Sequence, residues 1–86
     1  MQNFTIKIIT QKGCHRCEAL KNELIKSGIS FEGIDAFSAE GKKITSKHII
    51  MLTPTALFLT DSDEEIARAQ NFQELKEFLD KMKNIS

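Results

Sequence analysis

Along the chain the spacing of hydrophobic positions changes several times, and each change marks an element. "FTIKII" (4 to 9) is rich in β-branched residues and sets Phe4, Ile6 and Ile8 on one face, the pattern of a strand. From Cys14 to Ser27 the spacing becomes helical: Cys17, Leu20 and Leu24 share a stripe, Glu18, Lys21 and Glu23 fall outside it, and Gly28 can close the C-terminus. Cys17 therefore faces inward and Cys14 lies at the helix start, nearer solvent. "ISFEGID" (29 to 35) predicts a short strand, and "SAEGKKITSKHI" (38 to 49) a helix begun by Ser38, with Gly41 and Thr45 counting against it. "TALFLT" (55 to 60) is almost continuously apolar, as in a strand buried on both faces, and "DSD" (61 to 63) turns it into "EEIARAQ" (64 to 70) as a hairpin. In the last helix Asn71 and Glu74 form a capping arrangement, and Phe72, Leu75, Phe78, Leu79 and Met82 make one apolar face. The order β-α-β-α-β-β-α, with a parallel crossover first and a hairpin late, predicts an α/β fold: a central four-stranded mixed sheet flanked by three helices.

Length and composition narrow what such a fold can do. Eighty-six residues, 41% hydrophobic and 28% charged, make a single domain spanning residues 1 to 86 with one modest core. No repeat or linker-like tract interrupts it. Twelve Lys and Arg balance twelve Asp and Glu, which leaves no net field to attract nucleic acid or an anionic membrane. No stretch approaches the roughly 18 apolar residues of a membrane span. The start, "MQNFTIKIIT", lacks the pattern of a secretory signal, so a cytoplasmic protein is expected. A monomer is expected too, because one core accounts for the apolar residues.

Both cysteines of the chain lie in "KGCHRC" (12 to 17), three residues apart. In a reducing compartment a purely structural disulfide rarely persists, so such a pair is redox-active or binds metal. At a helix start two sulfurs at this spacing can form a disulfide while sitting in different surroundings, which lets one attack and the other resolve. An exposed thiol at a helix N-terminus, with unpaired N–H groups and cations nearby, titrates well below about 8.5, often at roughly 3.5 to 7.5. Cys14 has that position, with His15 and Arg16 beside it and Lys12 at longer range; these favour the thiolate and a more oxidising disulfide. A structural zinc site needs four ligands, and two cysteines with His15 and the distant His48 do not supply them within one chain. A shared zinc or iron–sulfur site would require a dimer. His48 is read as a solvated helix-end residue, and Lys42, Lys43 and Lys47 as a solvated helix face able to steer an acidic partner.

A strand, a C-x-x-C opening a helix, and one proline immediately before the third strand together resemble the thioredoxin fold, most closely its small glutaredoxin-like branch, over nearly the whole chain. In that family the proline is cis and faces the cysteines, and the residue before it offers its backbone to the substrate; Thr53 and Pro54 match those positions. The chain starts at the strand before the motif, without the extra N-terminal strand and helix of full thioredoxins, and its size fits glutaredoxins. It departs from the family pattern in having no Pro between the cysteines, no Trp before the first, and Ile8 where thioredoxins carry a buried acid. The Gly-Gly pair and following acid that help glutaredoxins hold glutathione are replaced by "AQN" (69 to 71).

The resemblance implies a thiol–disulfide oxidoreductase in which Cys14 and Cys17 are catalytic, His15, Arg16 and Lys12 stabilise the thiolate, and Thr53 and Pro54 bind substrate. No bound cofactor and no metal are needed. The substrate would be a disulfide-containing protein or a low-molecular-weight thiol. Electrons would come from glutathione or from a thioredoxin-reductase-type flavoenzyme, and the missing glycine pair favours the second. A pocket of Lys12, Thr53 and the helix start would hold glutathione weakly. The alternative is a non-catalytic thioredoxin-like module whose cysteines bind a metal or cluster, or sense redox state.

Overall fold

The computed structural model describes residues 4–85, with side chains to Met82. Its elements are β1 (Thr5–Thr10), α1 (His15–Lys26), β2 (Glu32–Asp35), α2 (Ala39–His48), β3 (Thr55–Leu59), β4 (Glu65–Ala69) and α3 (Phe72–Ile85). The predicted order and all seven elements are present. The largest departure is β2, which starts at Glu32 and not at Ile29, because the backbone of Ile29 is used elsewhere: its N–H closes α1 by donating to Leu24 O at 3.0 Å. Gly28 makes that closure possible with φ of 69°, in the left-handed region that a Cβ disfavours.

The strands lie in the order β2-β1-β3-β4. β1 and β2 are parallel, joined through α1, whereas β1–β3 and β3–β4 are antiparallel. Alternation along the strands divides the buried residues between two faces. On one face Ile6, Ile8, Ala56, Phe58 and Ala69 meet Leu20 and Leu24 of α1 and Leu75 of α3. Phe58 anchors this layer, its ring 4.6 Å from that of Phe78 and 5.4 Å from that of Phe4. On the other face Ile9, Leu57 and Leu59 are buried on the side of α2. Every residue of β3 is buried, which is why its sequence runs apolar without alternating.

Capping residues set where the helices begin. Ser38 Oγ accepts from Gly41 N at 3.0 Å and starts α2. Asn71 Oδ1 accepts from Glu74 N at 2.9 Å, and Glu74 reaches back to Gln70 N at 2.8 Å, a reciprocal cap displaced by one residue from the usual box. Gly41 is buried in the first turn of α2, where a Cβ would collide with Asp35 O and with the backbone of Ala36. The residue that weakens α2 as an isolated helix thus lets it pack closely on the end of β2.

Candidate functional site

β1 ends at Thr10 and the chain turns through Gly13, at φ of 76°, into α1. Cys14 is the N-cap of that helix: its backbone is extended, and its sulfur accepts the N–H of Cys17 at 3.1 Å. The same atom that would attack a disulfide therefore already occupies the position where a helix accepts negative charge. Cys14 and Cys17 are joined by a disulfide, with Cα atoms 5.2 Å apart. Their surroundings differ as predicted. Cys14 is half-buried, and Cys17 has no exposed surface because it continues the Leu20 and Leu24 stripe into the core.

The segment before β3 approaches from the other side. The Thr53–Pro54 peptide is cis, Pro54 is buried, and Thr53 Oγ1 lies 3.9 Å from Cys14 Sγ and 3.4 Å from Gln11 Oε1. Thr55 holds the next turn by donating to Leu52 O at 2.6 Å. Cys14, Cys17, Thr53 and Pro54 are thus together in space. Lys12, His15 and Arg16 are exposed on the same end of the molecule, and among the described residues their side chains make no hydrogen bond or ion pair.

Two other features escaped sequence reasoning. Gln11 precedes the motif with no signal of its own, yet its side chain tethers Thr53. The apolar run "IIML" (49 to 52) falls outside every element, and Ile49, Met51 and Leu52 are exposed, as is Phe37 after β2. One core does not account for these four side chains. The run itself, apolar and beyond its first residue assigned to no helix or strand, was the available signal.

His48 requires a correction. It does end α2, but it is not solvated: its side chain is 7% exposed and Nδ1 lies 3.4 Å from Glu65 Oε1. Glu65 on β4 also receives Arg68 Nε and Nη2, both at 2.7 Å, and Arg68 caps α2 by donating to His48 O at 2.6 Å and Ile49 O at 3.4 Å. The Arg68 hydrogen bond is the main reason that the Glu65 carboxyl is held below its usual range. This cluster fixes the exit of α2 and hence the start of the 49–53 segment. Among the described residues no three His, Cys, Asp or Glu side chains are grouped to hold a metal ion, and no helix is long and apolar enough to cross a membrane.

No family model and no curated protein matches the chain by sequence. Solved structures do match in shape. Thioredoxin f2 of Chlamydomonas reinhardtii superposes with a TM-score of 0.74 at 13% identity, over 95% of this chain and 81% of its own. A thioredoxin f2 solved in complex with ferredoxin:thioredoxin reductase gives 0.76 at 11% identity, over 94% and 78%. The thioredoxin-like protein BC3987, solved as a mutant, gives 0.67 at 20% identity, over 87% and 99%. The chain has the thioredoxin fold. At these identities the likeness speaks to fold, and the chemistry has to be argued from the site.

Proposed function

We propose that the protein is a thiol–disulfide oxidoreductase of the reducing cytoplasm that works through Cys14 and Cys17. The observation that carries this reading is the asymmetry of the pair: one sulfur half-exposed at the N-cap of α1, the other one turn inward and fully buried, with Thr53 3.9 Å from the first. In the reduced protein the Cys14 thiolate is stabilised by the Cys17 N–H and the helix terminus, with Lys12, His15 and Arg16 adding positive potential. It attacks one sulfur of a substrate disulfide, forming a mixed disulfide and releasing the other sulfur as a thiolate. The Cys17 thiolate then attacks Cys14 Sγ, releasing the second substrate thiolate and forming the Cys14–Cys17 disulfide. Two electrons have passed to the substrate, and two must be returned by a dithiol or by two monothiols.

The backbone beside Pro54 is the proposed docking edge for the substrate, since Thr53 flanks the attacking sulfur. For the donor, a protein reductase is favoured over glutathione. One structural neighbour is a thioredoxin bound to such a reductase, and "AQN" (69 to 71) lacks the glycines that would hold the tripeptide. Insulin reduction with each donor is the test: turnover with a thioredoxin-reductase system, and slower turnover with glutathione and its reductase, is expected. Turnover with neither, together with stoichiometric metal in the purified reduced protein, would replace this reading with that of a metal-binding module.

A further inference from the structure

Phe37, Met51 and Leu52 stand on the rim of a depression of about 570 Å³ floored by Ile9 and reaching Gln11 and Thr53 beside the disulfide. Phe37 is 68% and Met51 88% exposed, a large apolar surface to leave in water. The lining contains one charged residue, Lys42. Its ammonium has no ion pair among the described residues, and the same holds for Lys12, His15 and Arg16 around the motif. Two carboxylates at this end are balanced by cations, Glu18 by Lys21 at 3.0 Å and Glu40 by Lys7 at 3.5 Å, while Asp35 and Glu74 accept backbone N–H groups, of Phe37 at 2.7 Å and of Gln70 at 2.8 Å, and keep their charge.

The topology sends one acidic turn away. β3 runs from Thr55, opposite Ile9, to Leu59, opposite Thr5, so the turn carrying Asp61, Asp63 and Glu64 lies at the far end of the sheet from Cys14. This acidic turn is thereby kept away from the disulfide, around which Lys12, Arg16 and Lys42 carry charges with no ion pair among the described residues.

We propose that this groove selects acidic protein substrates, a conclusion that rests on the oxidoreductase reading. An apolar side chain next to the substrate cysteine enters the depression over Ile9, between Phe37 and Met51. A carboxylate beside it meets Lys42, and further acids meet Lys12 and Arg16. A second copy of this chain does not fit, because two such faces would bring like charges together.

The test uses three disulfide-cyclised peptides that share one apolar residue beside a cysteine and carry Asp, Ser or Lys at the flanking positions. The reduced protein should act on the acidic peptide with kcat/KM about tenfold above the basic one at low salt, and the gap should close towards 1 M salt. Lys42→Ala should narrow the ratio about threefold. Met51→Ser should lower kcat/KM for all three peptides alike. Equal rates for the three, or a preference insensitive to salt, overturns the proposal. Cysteine-free versions of the same peptides, titrated into the oxidised protein and followed by amide shifts at Phe37, Lys42 and Met51, separate it from the reading beneath it. Selective binding of the acidic version without reduction of any disulfide refutes the oxidoreductase and keeps the groove, whereas reduction without selective binding does the reverse.

Discussion

Replacing Arg68 by alanine removes a tie between β4 and the end of α2. The guanidinium makes two bonds of 2.7 Å to Glu65 and one of 2.6 Å to His48 O, with a longer one to Ile49 O. Ile49 sits at φ of 53°, a left-handed conformation that costs a β-branched residue roughly 1–2 kcal/mol and must be held by its surroundings. Hydrogen bonds to charged groups contribute about 1.5–3 kcal/mol each when buried. The Arg68 side chain is 37% and that of Glu65 25% exposed, so solvent screening reduces the whole cluster to about 2 kcal/mol. For a domain of this size that is a fall in Tm of about 8–16 °C. The pH dependence adds a sharper signature. Glu65 is held below 4.5, first by its hydrogen bond from Arg68, so its contribution is present above 4.5 and is lost as the pH falls through the lower folded value. Urea unfolding of both proteins at pH 7 and pH 3 measures this: the variant should be weaker at pH 7, and the difference should shrink at pH 3. An equal difference at both pH values would show that the Glu65 carboxylate is not what Arg68 serves. No difference at either would remove the clamp.

Two further outcomes follow from single side chains. Gly41→Ala should destabilise the protein by about 1–3 kcal/mol, read as a lower urea midpoint, because its Cβ meets the backbone of Asp35 and Ala36 and not a side chain that can yield; an unchanged midpoint would mean that α2 can shift. Arg16→Gln should raise the pH at which the Cys14 thiolate forms and make the disulfide less oxidising, followed by thiolate absorbance and by equilibration with a thiol buffer; an unchanged titration would assign the reactivity to the helix terminus alone.

The elements were legible where local pattern and tertiary role agree. The Leu20 and Leu24 stripe, the uninterrupted "TALFL" and the Asn71–Glu74 cap each describe their own surroundings. The different exposure of the two sulfurs was legible for the same reason, since helix position alone separates Cys14 from Cys17. What could not be read depends on contacts distant in sequence. His48 looks like a solvated helix end until Glu65 and Arg68 of β4 are placed against it, 17 and 20 residues later by subtraction of their numbers. Gly41 counts against a helix in any propensity scale, and its value lies in the approach of β2. The groove that Ile50, Met51 and Leu52 line could not be read because its other walls, Ile9, Phe37 and Lys42, are distant in sequence.

The central claim is the division of labour between the two sulfurs, and trapping by mass spectrometry tests it most directly. After exposure to a model disulfide, Cys17→Ser should accumulate a stable mixed disulfide on Cys14, since attack proceeds and nothing expels the substrate. Cys14→Ser should trap little, because the remaining sulfur has no exposed surface. Equal trapping by both variants would contradict the assignment of nucleophile and resolver, and a mixed disulfide in neither would contradict the oxidoreductase itself.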